Sequence, residues 1–154
     1  MSKRPTLPYE NATSGKRAVD DMQAILRGFG ASSFGCMEDF DEGRVTVQFK
    51  WRERRVTITA SSKGYAATWL RYHPHTRQMR TTKQEYERKA LHIGQVAVYS
   101  ILRDWIKGQI TAVEIGILSF EGAFLGQIML PTGETVLDRV SRSDMLGLAA
   151  PAQP

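Results

Sequence analysis

The sequence predicts an α+β domain. A three-stranded antiparallel sheet packs against an N-terminal helix and one long helix, in the order α-β-β-β-α-β. Three observations predict this. Apolar residues recur at spacings of three and four before residue 30 and again from residue 86 to about residue 115, which is the helical period. Between these segments, two runs alternate apolar and polar residues, the mark of half-buried strands. The 154 residues are 42% apolar and 24% charged, enough for a real core in one domain of ordinary size.

Ser14 is the expected N-cap of a first helix that runs to about Phe29, with Val19, Met22, Leu26 and Phe29 on its apolar face. Gly28 and Gly30 supply its stop, because glycine accepts the left-handed cap conformation. A first strand is expected from Ser32 to Phe40, followed by the turn Asp41-Glu42-Gly43. The clearest strand is Arg44 to Trp51, where Val45, Val47, Phe49 and Trp51 alternate with Arg44, Thr46, Gln48 and Lys50. After a turn at Arg52-Glu53-Arg54, Val56, Ile58 and Ala60 alternate with Arg55, Thr57 and Thr59. The two strands thus share an apolar inner face and a basic, hydroxyl-rich outer face.

Residues 61–83 are less regular. Tyr65, Trp69 and Tyr72 suit a short helix that His73-Pro74-His75 breaks. Thr82-Lys83-Gln84-Glu85 matches a capping box and opens the long helix, which runs to about Ile115 with Gly116 as its stop. Tyr86, Ala90, Ile93, Ala97, Ile101 and Trp105 form its main stripe. Leu91, Val98, Leu102, Ile106 and Ile110 widen that stripe beyond what one sheet face needs. Two readings of the extra width stay open: packing on Phe120, Phe124, Leu125 and Ile128, or a homodimer interface. A short helix at residues 119–125, a short strand at Gln127 to Leu130 and a weaker element from Thr135 to Met145 complete the order. Composition divides the chain into a flexible arm at residues 1–12, the domain at 13–146 and a flexible tail at 147–154.

Charge is the most informative feature. The net charge is +5, but it is unevenly placed. From Arg44 to Lys83 there are ten basic residues and one acid, Glu53, a local net of +9 against −4 over the rest of the chain. Phosphate contacts need Lys and Arg, and base stacking needs aromatic or guanidinium planes. The candidate nucleic-acid contacts are therefore Arg44, Lys50, Arg52, Arg54 and Arg55, extended by Lys63, Arg71, Arg77 and Arg80, with Tyr65, Trp69 or Tyr72 for stacking. An acidic protein partner would explain the same charge.

Other chemistry has weaker carriers. The acidic cluster Glu38, Asp39, Asp41 and Glu42 precedes Gln48-Phe49-Lys50, a distant match to the acid-plus-lysine pattern of restriction-type nucleases. Its residues crowd around one turn, which reads better as an acidic hairpin loop than as a Mg²⁺ site. His73, His75 and His92 lack a nearby carboxylate or cysteine to complete a metal set. The single cysteine, Cys36, excludes an internal disulfide framework and a multi-cysteine zinc site, and reads as a small buried hydrophobe. No glycine-rich phosphate loop is present, and no cofactor is predicted. No apolar run approaches a membrane span, and the first residues have no secretory h-region. The default expectation is a soluble intracellular protein.

The segments Arg103-Asp104-Trp105-Ile106-Lys107-Gly108-Gln109, Ala112-Val113-Glu114-Ile115-Gly116-Ile117, Ser119-Phe120-Glu121 and Leu130-Pro131-Thr132-Gly133-Glu134-Thr135-Val136 resemble a group of small phage and prophage proteins. Those proteins also open with a helix ending in a Phe-Gly pair, here Phe29-Gly30, followed by a strand pair with a basic turn. No activity is established for the group. The resemblance therefore implies a mobile-element protein acting inside a bacterium and assigns no catalytic residue. Together these readings predict a non-catalytic nucleic-acid-binding accessory protein of a phage or mobile element. The second reading is a protein-interaction module with a host or phage protein as partner, able to dimerise through the long helix, that modulates a host protein or defence system. The third is a Mg²⁺-dependent nuclease using Glu38, Asp39, Asp41 and Lys50.

Overall fold

A computed structural model describes residues 6–147; residues 1–5 of the expected arm and 148–154 of the expected tail lie outside the described residues. The architecture is α+β. Helix α1 (Gly15–Phe29) leads into strands β1 (Ser33–Asp39), β2 (Arg44–Trp51) and β3 (Arg54–Ser61). Helices α2 (Ser62–Tyr72), α3 (Lys83–Glu114), α4 (Phe120–Phe124) and α5 (Val136–Arg142) follow.

Local chemistry accounts for the boundaries. The Ser14 hydroxyl accepts from the Arg17 N–H at the start of α1, and Gly30 ends it at φ 107°, a left-handed cap that side chains with a Cβ resist. Thr82 and Glu85 close the predicted capping box of α3 in both directions. The turn between β2 and β3 has two residues, Arg52 and Glu53, and Arg52 adopts φ 53°.

The sheet has the order β1-β2-β3, both pairings antiparallel. Its apolar face carries Phe34 and Cys36 of β1, Val45, Val47 and Phe49 of β2, and Val56 and Ile58 of β3. Onto this face pack Ala18, Met22 and Leu26 of α1, and Val98, Leu102, Ile106 and Ile110 of α3. Phe120, Phe124 and Ile128 join the same cluster. Phe49 meets Phe124 edge-on at 5.4 Å between centroids, and Phe120 lies 4.5 Å from Trp51. Of the residues that widen the long helix's stripe, Val98, Leu102, Ile106 and Ile110 pack in this cluster and Leu91 packs against the α2 layer. Gln127 to Leu130 makes two isolated bridges in place of a continuous strand: Ile128 to Val56 and Met129 to Thr135. The Met129 N–H donates to the Arg55 carbonyl at 2.8 Å, which lays this segment alongside the edge of β3.

A second, smaller core lies between α2 and α3, built from Ala66, Trp69, Tyr86 and Ala90 with Leu7 against it. The helices approach closely at Gly94, where an added Cβ would sit 2.5 Å from the Ser62 carbonyl oxygen. Residues 7–10 are tied to this layer by side chains. The Tyr65 hydroxyl donates to the Pro8 carbonyl at 2.6 Å, Tyr9 donates to Asp104 at 2.6 Å, and Glu10 meets His73 at 2.7 Å.

Candidate nucleic-acid interface

Strand alternation puts most of the polar residues of the three strands on the face that the helices leave open. The register sets them in four rows: Ser33-Lys50-Arg55, Gly35-Gln48-Thr57, Met37-Thr46-Thr59 and Asp39-Arg44-Ser61. None of these residues is buried. Lys50 and Arg55 oppose each other directly on adjacent strands. Like charges so placed destabilise a sheet, and among the described residues neither is paired with a carboxylate. The face's one acid, Asp39, lies 3.8 Å from Arg44 in the last row. Hydroxyls and an amide fill the middle, where Thr46 and Thr59 share a hydrogen bond of 3.3 Å.

The other basic residues do not join the Lys50–Arg55 row. Arg54 pairs with Trp51 and so points to the opposite side of the sheet, where its guanidinium holds Glu121 at 2.9 Å. A backbone hydrogen bond at Glu121 itself, and after it this contact with Arg54, holds the Glu121 carboxyl below its ordinary range. Arg52 lies over the Trp51 ring, 4.2 Å from its centroid. Arg44 is six residues from Lys50 along β2, about 20 Å away. Lys63 sits at the start of α2, packed over Gly43 of the acidic hairpin. Arg71 bonds Thr68 near the end of α2, while Arg77 and Arg80 are exposed in the connection to α3. The basic segment of the sequence is thus divided among three places: the Lys50–Arg55 end of the sheet, the acidic-hairpin end with Arg44 and Lys63, and the far end of α2.

The aromatic candidates also divide. Trp69 is 7% exposed, packed between His73 and Tyr86 at 4.8 and 5.3 Å, so its faces are used internally. Tyr65 is half-buried, and its hydroxyl is occupied by Pro8. Tyr72 is exposed.

The nuclease arrangement does not assemble. Glu38 points to the inner face and accepts a hydrogen bond from Tyr99, whereas Asp39 points outward and caps the Glu42 N–H at 2.9 Å. Lys50 opposes Ser33, five residues up β1 from Glu38, or about 17 Å. Among the described residues, no group of three or more His, Cys, Asp and Glu side chains is placed to hold a metal. His75 bonds the Thr81 carbonyl at 2.8 Å and His92 is exposed.

Sequence reasoning missed the Glu38–Tyr99–Cys36 contact beneath the sheet. Burial, reinforced by the Glu38 carboxylate, pushes the Tyr99 hydroxyl well above the ordinary tyrosine range. Burial likewise pushes the Cys36 thiol up, so it is a poor nucleophile at neutral pH. No local signal reveals this group, because Tyr99 lies 61 residues from Glu38.

No protein-family model matches this chain, and no curated protein or solved structure is significantly similar to it. No helix among the described residues is long and apolar enough to cross a membrane.

Proposed function

We propose that the open face of the sheet binds nucleic acid, as the working surface of a non-catalytic accessory protein of a phage or mobile element. The observation that carries this reading is the directly opposed Lys50–Arg55 pair, which has no carboxylate paired with it among the described residues. A sheet that places two cations side by side on an uncovered face is unfavourable by itself and favourable against an anion such as a backbone phosphate. The surrounding Thr46, Gln48, Thr57 and Thr59 offer neutral hydrogen-bonding groups that do not repel phosphate. The mobile-element setting is supported by the sequence resemblance of residues 103–136.

The test is a fluorescence titration of labelled single- and double-stranded DNA and RNA at several salt concentrations. Binding weakens as salt rises, and Lys50→Ala with Arg55→Ala lowers the logarithmic salt slope by about 2, one for each lost phosphate contact. Arg71→Ala, at the far end of α2, leaves the slope unchanged. No binding to any of the four nucleic acids at low salt would overturn the reading.

A second reading has its own observation. Ile115, Ile117 and Leu118 are 66%, 70% and 42% exposed where α3 ends. An apolar group of this kind suits a protein partner, and loss of specific host-protein capture in an Ile115→Glu, Ile117→Glu variant tests it.

A further inference from the structure

A cleft of about 440 Å³ separates the open sheet face from the segment that follows α4. Its floor is Gln48, Thr57 and Thr59, and its wall includes Gln127, Met129 and Leu137. The volume lies within the range of small-ligand sites. Two features distinguish it from an ordinary surface groove. First, among the described residues Thr57 Oγ1 is the one buried side-chain oxygen without a hydrogen-bond partner. Native proteins rarely leave such a group unmatched, and a hydroxyl can serve a ligand as donor or acceptor. Second, no cation lines the cleft, yet Lys50 and Arg55 form the adjacent row of the same face, two residues or about 7 Å along the strands.

We propose that this cleft receives a nucleobase while the Lys50–Arg55 row holds the neighbouring phosphate; the inference rests on the nucleic-acid reading above. The division of chemistry supports it. A base is a flat, uncharged ring whose edge presents both donors and acceptors. The cleft supplies two primary amides, Gln48 and Gln127, and the Thr57 and Thr59 hydroxyls, all able to donate and accept. Met129 and Leu137 supply apolar contact for the ring faces. A phosphate would find only neutral groups and Asp138 here, so the anion belongs on the cationic row outside. A duplex keeps its bases stacked and paired, so the ligand class is single-stranded nucleic acid or an unpaired loop.

The experiment compares labelled single strands of one length: all-thymine, all-adenine and an abasic backbone. At least one base-bearing strand binds the wild-type chain about tenfold tighter than the abasic strand. Gln127→Ala and Thr57→Val shrink that ratio toward one and leave the salt slope unchanged. Lys50→Ala with Arg55→Ala weakens all three strands together. Equal, salt-dependent binding of all three strands to the wild-type chain overturns the base cleft and leaves phosphate binding standing. No binding of any strand at low salt overturns the base cleft, and the nucleic-acid reading falls with it when duplex DNA and RNA also fail to bind. The strand comparison uses the unaltered chain, so it does not depend on how any variant folds.

Discussion

Replacing Gly94 by alanine tests the packing that joins α2 to the rest of the molecule. By helix propensity alone, the change inside α3 stabilises by about 1 kcal/mol. Packing opposes this, because the new Cβ falls 2.5 Å from the Ser62 carbonyl oxygen and 3.2 Å from the Ala66 nitrogen. Both are backbone atoms of α2, so no side chain can swing away; the two helices must separate by most of an ångström. Overpacking of this kind costs about 1–3 kcal/mol, so Gly94→Ala is a net loss of up to about 2 kcal/mol once the propensity gain is set against it. Gly108 is the internal control. It lies in the same helix with nothing within 4 Å of a built Cβ, and Gly108→Ala stabilises by about 0.5–1 kcal/mol. Urea denaturation followed by circular dichroism measures both, with midpoints shifting in opposite directions and the slope unchanged. If Gly94→Ala matches or exceeds the stability of Gly108→Ala, the close approach of α2 and α3 is refuted.

Further outcomes follow from the buried polar groups. The Tyr99 hydroxyl has its pKa raised by burial and by Glu38, so it stays protonated in the folded chain at pH values where the unfolded chain ionises. Stability is therefore independent of this group below about pH 10 and falls as pH rises beyond it. Tyr99→Phe flattens that alkaline fall and, by losing the bond to Glu38, costs about 1–2 kcal/mol at neutral pH; an equally steep fall in the variant refutes the assignment. Separately, Glu10 and His73 form a part-buried pair at 2.7 Å. A double-mutant cycle with Glu10→Ala and His73→Ala yields a coupling of about 1 kcal/mol in thermal unfolding, and additive losses would show that residues 7–10 are held by other contacts.

Much of the architecture was legible because its signals are local. Ser14, Gly30 and the Thr82–Glu85 box mark helix ends through bonds within four residues. The alternation from Val45 to Ile58 assigned each strand residue to a face, and so placed Lys50 and Arg55 together on the outer one. The same alternation puts Arg54 opposite Trp51 on the inner side, a separation that charge counting overlooks. Trp69 is a harder case. Its spacing fits either a stacking surface or a core, and the choice depends on Tyr86, which α3 brings to it.

What the sequence determined by itself is therefore the periodic part: the α+β class, the helix boundaries and the two-sided strands, since backbone hydrogen bonding and side-chain alternation act over a few residues. Only the tertiary structure decided which charges act together and what faces them. It sent Arg54 to Glu121, Glu38 to Tyr99 and the segment around Met129 to the edge of β3. Those pairings join residues roughly 60 to 75 positions apart. They depend on how the layers pack to bury apolar surface, a global condition that no local pattern records.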